Sequence, residues 1–273
     1  RALGKRDIGV AKSRDQGATW MALVLLFWRW CFYEGESFLL VSRNADLVDD
    51  SNNTDTLMAK LDQMWNMLPG FLRPPRTRTH MTMVNEHTRS HFNGDTTTGN
   101  AGRGGRRTGV LLDELASFDV GESFAAWKSL QYVTKTRIWP STPNGKTGAF
   151  YEAWHKDDAP TLKIRLHWSQ HDLQRRGLYS SSEGRAKFYC PSCYRNEVGI
   201  TLDLRLSECP DCRMQGKRAR YQYPEGYRFR LDSRLRSPYY DEQCARATSE
   251  REIAQELDID FGGSDSAFFD GAW

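Results

Sequence analysis

Residues 12–19 (KSRDQGAT) have the composition of a phosphate-binding loop that joins a short apolar strand to a hydrophobic helix. In the standard pattern, G-x-x-x-x-G-K-[ST], backbone N–H groups surround the phosphates, the lysine reaches the terminal phosphates and the hydroxyl holds Mg²⁺. Gly17 and Thr19 fit this pattern, whereas Ala18 stands where lysine is expected and Lys12 replaces the first glycine. Because a phosphate needs a nearby cation rather than a cation from one fixed backbone position, Lys12 is the candidate cation.

Arg14 lies in the same loop, where an arginine can stabilise the charge that develops during phosphoryl transfer. The alternative is that Lys12 and Arg14 are surface charges beside an ordinary strand-to-helix turn. The loop residues that we predict to bind a nucleotide are Lys12, Ser13, Gln16, Gly17, Ala18 and Thr19.

Asp113 and Glu114 follow the apolar run Gly109-Val-Leu-Leu112 directly. A buried strand does not tolerate two adjacent carboxylates unless they face a ligand. In a site that hydrolyses nucleotides, the first carboxylate holds Mg²⁺ and the second activates the attacking water. The alternative is a helix N-terminus, where acidic residues interact favourably with the helix dipole.

Thr142 and Asn144 follow a further apolar strand, within Ser141-Thr-Pro-Asn-Gly145. Polar side chains at this position could sense the terminal phosphate or position water. Pro-Asn-Gly is equally a turn signal, so both interpretations stay open.

Four of the six cysteines form two C-P-x-C pairs that are separated by 15 residues. This spacing is typical of a four-thiolate zinc site, which is usually structural because four sulfurs close the coordination sphere. The predicted ligands are Cys190, Cys193, Cys209 and Cys212.

The bulk composition excludes few classes of protein. The chain has 273 residues, of which 39% are hydrophobic and 27% charged, and its net charge is +3. This balance does not by itself argue for nucleic acid, and the basic clusters at 103–107 and 217–230 fit either solvated surface or phosphate contacts. The longest apolar run, residues 20–27, is too short to span a bilayer, so we expect no membrane association.

Hydrophobic patterning predicts strands that alternate with helices. The predicted strands are 7–11, 37–42, 80–84, 90–93, 110–112, 136–139 and 161–168, and the predicted helices are 19–33, 53–67 and 122–131. This alternation predicts an α/β fold with a mostly parallel sheet flanked by helices. Ligands bind such sheets at the carboxyl ends of strands, which is where the three candidate motifs lie.

In this order the motifs resemble those of the ATPase domain of the large terminase subunit, the DNA-packaging motor of tailed bacteriophages and prophages. The loop Lys12-Ser-Arg-Asp-Gln-Gly-Ala-Thr19 is similar to the family's variant Walker A motif, in which some branches move the lysine to the first position. Gly109-Val-Leu-Leu-Asp-Glu-Leu-Ala116 resembles its Walker B motif, and Ser141-Thr-Pro-Asn-Gly145 resembles its coupling motif.

The resemblance implies an ASCE-type P-loop NTPase that hydrolyses ATP. It implies that Lys12 and Thr19 lie at the phosphates and Mg²⁺, and that Arg14 is a catalytic arginine supplied in cis. It further implies Asp113 as a Mg²⁺ ligand, Glu114 as the catalytic base, and Thr142 or Asn144 as coupling sensors.

We expect a P-loop ATPase core at 1–170, a zinc-ribbon-like insertion at 171–230, and a return segment at 231–273. By comparison with the family, we expect that segment to lead toward a nuclease domain that is absent from this chain, and we expect an adenine-binding segment before residue 1 to be missing. The implied partners are double-stranded DNA, the portal of the procapsid, the small terminase subunit and further copies in a ring. The implied location is the cytoplasm of the infected bacterial host.

Two other functions fit the sequence. The first is a helicase-like DNA translocase that uses the same core. The second is a zinc-ribbon nucleic-acid-binding fragment, whose nucleotide site is inactive because Ala18 replaces the lysine.

Overall fold

A computed structural model describes residues 6–96, 105–157, 160–182, 185–190, 197–198 and 223–265. The chain divides into two compact units. The first consists of Arg1–Leu166 and Ala254–Trp273, and the second of His167–Ile253. No helix within the described ranges is long and apolar enough to cross a membrane.

The first unit alternates strands and helices along the chain. Its strands are β1 (Ile8–Lys12), β2 (Ser37–Ser42), β3 (Arg76–Thr79), β4 (Thr82–Asn85), β5 (His91–Thr96), β6 (Gly109–Leu112), β7 (Arg137–Ser141) and β8 (Leu162–Leu166). Its α-helices are α1 (Ala18–Phe32), α2 (Ala45–Val48), α3 (Leu57–Met67), α4 (Val120–Leu130) and α5 (Gly148–His155), and a π-helical segment covers Ala254–Asp258.

The eight strands form one sheet in the order β3-β4-β5-β2-β6-β7-β1-β8. All pairings from β5 to β8 are parallel, and the β3–β4 hairpin adds an antiparallel edge. The predicted mostly parallel sheet flanked by helices is therefore confirmed. Because the central strands are parallel, the carboxyl ends of β1, β2, β6 and β7 meet at one edge of the sheet.

Helices cover both faces of this sheet, which is why the middle residues of its central strands are apolar. Every residue of β1, β2 and β6 is buried. On one face, Val10 and Leu40 pack with α1 and α3; on the other, Leu39 and Leu112 pack with Trp139 and residues of α4 and α5. Gly9 is required by this packing, since a Cβ there would lie 2.3 Å from the Trp139 ring.

The structure adds elements that the patterning did not predict. The polar strand β3 has no apolar alternation of its own and is held by pairing with β4. The chain turns between them at Met81, whose φ of 58° is left-handed. Helix α5 begins at Gly148 with a φ of 87°, a residue whose type favours a loop in the sequence.

The second unit contains an antiparallel sheet in the order β11-β10-β9, formed by β9 (Tyr179–Ser182), β10 (Arg185–Tyr189) and β11 (Glu197–Val198). Helices α6 (Pro238–Arg246) and α7 (Glu250–Ile253) follow. Tyr179 donates a 2.8 Å hydrogen bond to Asp241, and Arg236 forms an ion pair with the same buried carboxylate.

These contacts place residues 231–253 with the second unit, whereas we expected them in the return segment. The backbone of Arg236 pairs with that of Tyr179, and Tyr240 stacks on Trp168 at 4.7 Å. Of the predicted zinc ligands, Cys190 is described and buried, while Cys193, Cys209 and Cys212 lie outside the described residues. Within the described ranges no cluster of three His, Cys, Asp or Glu side chains could hold a metal, so the zinc-ribbon-like insertion stays a prediction.

Candidate nucleotide-binding site

A cleft of about 510 Å³ opens at the carboxyl edge of the sheet of the first unit. Most of the residues predicted to bind nucleotide line it. They are Lys12, Arg14, Gln16, Gly17, Ala18, Thr19, Asp113, Glu114 and Thr142. Residues far apart in sequence therefore share one site because their strands end side by side.

The loop between β1 and α1 forms the floor of this cleft. Ser13 N donates a 2.8 Å hydrogen bond to Leu166 O, which ties the start of the loop to the neighbouring strand β8. Gly17 is the N-cap residue of α1 and has a φ of 68°, a left-handed conformation that favours glycine. The start of α1 thus faces the cleft, and a helix N-terminus favours negatively charged phosphate.

Lys12 is the last residue of β1, and its side chain reaches the Glu114 carboxylate beyond the end of β6. Its Nζ lies 2.8 Å from Glu114 Oε1, although Lys12 itself is only 7% exposed. Lys12 is therefore buried in the cleft. The alternative interpretation, that Lys12 is a surface charge, does not fit this burial. Its charge is balanced by the Glu114 carboxylate.

Thr19 and Asp113 form a second contact across the cleft. The Thr19 hydroxyl donates a 2.7 Å hydrogen bond to Asp113 Oδ1. Burial, reinforced by the adjacent Glu114 carboxylate, raises the pKa of Asp113 to about 6, while Thr19 and Lys12 oppose the shift. A hydroxyl and a carboxylate are the oxygen donors that Mg²⁺ prefers, so this pair fits a magnesium ligand set.

Glu114 has an unusual backbone conformation. Its φ of 54° and ψ of 45° are left-handed, which is costly for a residue other than glycine or asparagine. Its N–H donates to Pro140 O at 3.0 Å, and its Oε2 accepts a 3.2 Å hydrogen bond from the Ser141 hydroxyl. Neighbouring strand β7 therefore holds the backbone and one carboxylate oxygen of Glu114 while the other oxygen meets Lys12.

Arg14 lines the cleft but contacts Glu256 of the π-helical segment. Its Nη1 lies 3.2 Å from Glu256 Oε2, and its backbone N–H donates to Glu256 O at 2.6 Å. The hydrogen bond with Glu256 raises the pKa of Arg14. Because 66% of the Arg14 side chain is exposed, its guanidinium can change partner without leaving a buried charge unpaired.

Two predicted residues do not line the cleft. The Ser13 hydroxyl donates to Leu257 O at 2.5 Å, and Ser13 is completely buried. The Asn144 amide donates to Ala116 O at 3.2 Å, which ties the end of β7 to the segment after Glu114. Both side chains have roles in shaping the loops around the cleft.

The structure also brings in residues that the motifs did not indicate, among them Asp55, Lys60, Gln255 and Glu256. Lys60 had a detectable signal, because it lies on the buried stripe of α3 with Leu57, Leu61 and Met64. A lysine on such a stripe is unusual and indicates a local partner or a ligand. Glu256 had no such signal, since it reaches the loop from 242 residues away.

No family model and no curated protein matches the sequence. Among solved structures, the chain is similar to a large terminase from a thermophilic bacteriophage, with 14% identity, a TM-score of 0.46, and coverage of 60% of this chain and 41% of that one. It is also similar to the ATPase domain of a Thermus phage large terminase, with 18% identity, a TM-score of 0.44 and coverage of 62% and 78%.

The large terminase of bacteriophage HK97 matches with 12% identity, a TM-score of 0.47 and coverage of 61% of this chain and 36% of that one. The chain thus spans 41% of the first of these relatives. These likenesses concern the fold, and they are likenesses to phage large terminases.

Proposed function

We propose that the first unit is an ATPase that hydrolyses ATP to ADP and phosphate. The observation that carries the proposal is the convergence of Lys12, Thr19, Asp113 and Glu114 in one cleft, with contacts of 2.8 Å and 2.7 Å between partners from different segments. Phosphoryl transfer from a nucleotide requires a cation, a hydroxyl and carboxylates near the phosphates. This cleft provides them beside the N-terminus of α1.

In this proposal each residue has one task. Thr19 and Asp113 hold Mg²⁺, which neutralises phosphate charge when it is bound. Lys12 moves from Glu114 to the phosphate oxygens, and the N–H groups at the start of α1 bind the same phosphates. Glu114, released from Lys12 and still held by Ser141, accepts a proton from the attacking water.

Arg14 and Thr142 complete the proposed site. Arg14 leaves Glu256 and adds positive charge near the terminal phosphate, where charge develops in the transition state. Thr142 lines the cleft next to Glu114, with its backbone N–H 3.4 Å from Glu114 Oε2, so a change at the phosphate reaches β7 through this contact.

We further propose that the ATPase drives packaging of double-stranded viral DNA into a procapsid. The support is the order of the motifs, which resembles that of large terminases. The portal, the small terminase subunit and a ring of copies are proposed partners on the same basis. Zn²⁺ bound by Cys190, Cys193, Cys209 and Cys212 is proposed to stabilise the insertion in the second unit, from the spacing of the cysteines alone.

The decisive experiment compares ATP hydrolysis by the wild-type protein and Glu114→Gln, with and without double-stranded DNA. We expect DNA-stimulated hydrolysis in the wild type and a loss of about 10²–10⁴-fold in Glu114→Gln, since the general base is removed. ATP binding should persist in the variant. Absence of hydrolysis in the wild type, with DNA binding retained, would contradict the ATPase and favour a nucleic-acid-binding fragment.

A second assay separates packaging from translocation of the helicase kind. Unwinding of a forked duplex, without stimulation by procapsids, would identify a helicase-like translocase. Stimulation by procapsids without unwinding is the result that the packaging proposal predicts.

A further inference from the structure

Lys60 is a buried cation on the wall of the nucleotide cleft, and the motif patterns give it no role. It lies on α3, which begins after the N-cap residue Thr56, and it is 8% exposed. On the same helical face, Leu57, Leu61 and Met64 are buried. An apolar residue would fill this position at lower cost, because the burial of a charge must be compensated by partners.

The anionic partner of Lys60 is the exposed side chain of Asp55. Lys60 Nζ donates hydrogen bonds to the backbone carbonyl and side chain of Asp55, and it lies 5.9 Å from the centre of the Trp20 ring. The Asp55 side chain is 86% exposed, so water screens this ion pair. The screened Asp55 carboxylate therefore competes only weakly with a phosphate for the ammonium group.

Lys60 lies near the residues that we propose to hold the metal ion. Trp20, under its ammonium group, directly follows Thr19, whose hydroxyl contacts Asp113. Lys60 and Asp113 both line the cleft. Because Lys60 lines the cleft together with the proposed metal ligands, its ammonium group is available to the outer phosphates of a bound nucleotide.

We propose that Lys60 is a second cation of the nucleotide cleft, which binds the terminal phosphate of a nucleoside triphosphate and so distinguishes a triphosphate from a diphosphate. The inference rests on the proposed ATPase function and deepens it. Lys12 at the end of β1 and Lys60 on α3 both line the cleft, as does Thr19. Together they supply the positive charge that Ala18 cannot provide.

The test measures the affinity of the full chain for Mg²⁺·AMP-PNP and Mg²⁺·ADP by calorimetry. In Lys60→Met, the affinity for AMP-PNP should fall about tenfold or more, as expected for the loss of one charge-assisted bond, and the affinity for ADP by less than twofold. Lys60→Arg should restore most of the preference for the triphosphate. The matched control is Lys163→Met, an exposed lysine of β8 outside the cleft, which should change neither affinity.

Normal ADP binding shows that a variant is folded. If Lys60→Met does not fold, Asp55→Asn supplies an independent test, because Asp55 is exposed and competes with phosphate for the ammonium group. This variant should increase the affinity for AMP-PNP relative to ADP about two- to fivefold. An unchanged ratio of the two affinities would overturn the proposal.

Equal losses for both nucleotides, or no loss for either, in Lys60→Met would also overturn the role of Lys60. If the wild-type protein binds neither nucleotide, the proposed ATPase function itself is wrong. The two failures are thus distinguishable from the wild-type measurement.

Discussion

Both edges of the central sheet carry charged hollows, but their charges are arranged differently. The hollow at the amino ends of the strands is the larger, at about 670 Å³, and it contains Asp7, Trp127 and Arg137. There Arg137 Nε lies 3.0 Å from Asp7 Oδ2, Nη1 donates to Trp127 O, and the guanidinium lies 3.6 Å above the Trp127 ring. These contacts satisfy the two charges within the protein.

In the cleft at the carboxyl ends, several charged groups lie in unfavourable surroundings. The pKa of Asp113 is raised to about 6, Glu114 has a left-handed backbone, and Lys12 and Lys60 are buried cations. Raised pKa values and backbone strain concentrate where a ligand will later supply the compensating charge. The larger hollow therefore has paired charges, and the raised pKa and the backbone strain lie in the smaller cleft.

The largest expected effect comes from the removal of Lys12. Lys12→Ala should lower the turnover of ATP about 10²–10³-fold, because the phosphates lose a preorganised cation. Steady-state ATP hydrolysis measures the loss, and Lys163→Ala serves as the control. An unchanged rate in Lys12→Ala would show that the relocated lysine does not act in catalysis, and the contrast between the two edges would lose its main support.

A substitution at the amino edge of the sheet should lower the stability of the protein and leave its ATP turnover unchanged. Asp7→Ala leaves Arg137 without its carboxylate, so the free energy of unfolding should fall by about 2–3 kcal/mol, somewhat less than for a fully buried pair. Denaturant unfolding measures this change. The turnover of the folded variant should equal that of the wild type.

An exposed ion pair provides the reference for Asp7→Ala. Asp172→Ala removes the partner of Arg175 at a site where the aspartate side chain is 83% exposed, so stability should change by less than about 0.5 kcal/mol. A loss of turnover in folded Asp7→Ala would contradict a purely structural role for the hollow at the amino edge.

The sequence sufficed for the parts of the fold that depend on local pattern. The continuous apolar runs of β1, β2 and β6 predicted buried parallel strands, and Asp113-Glu114 marked the end of β6, where the two residues line the cleft. Contacts between segments that are distant in the chain could not be predicted from the sequence. The hydroxyl of Ser13 reaches Leu257, a pairing that no local pattern encodes.

A third prediction concerns pH and Asp113. The pKa of Asp113 is near 3.8 in the unfolded chain and about 6 in the folded protein, so the folded state binds the proton more tightly. Ionisation therefore destabilises the Mg²⁺-free protein as pH rises from about 4 to 6. Asp113→Asn should be more stable than the wild type by about 1–2 kcal/mol at pH 7.5, allowing for solvent access to the cleft, and equally stable near pH 3.5.

Thermal unfolding at the two pH values, without Mg²⁺ and nucleotide, measures this difference. An advantage of Asp113→Asn that is the same at pH 3.5 and 7.5 would mean that ionisation is not its cause. The ionised Asp113 carboxylate would then not destabilise the folded protein. The contrast between Asp113 and the paired charges at the amino edge would be wrong.

The smallest expected effect concerns the orientation of Glu114. Ser141 is completely buried, and its hydroxyl accepts a 3.1 Å hydrogen bond from Ala116 N and lies 3.2 Å from Glu114 Oε2. Ser141→Ala removes the contact with the carboxylate and leaves Glu114 in place, so it should lower kcat about fivefold, equivalent to about 1 kcal/mol, with little change in KM.

Ser117→Ala is the matched control for this variant. Ser117 also lines the cleft, but its hydroxyl donates to the backbone carbonyl of Glu114 at 2.7 Å and not to the carboxylate. If the orientation of the carboxylate matters, Ser141→Ala should lower kcat and Ser117→Ala should not. Equal losses of kcat would indicate that both serines act only through the left-handed backbone of Glu114. The orientation of the Glu114 carboxylate would then not contribute to turnover.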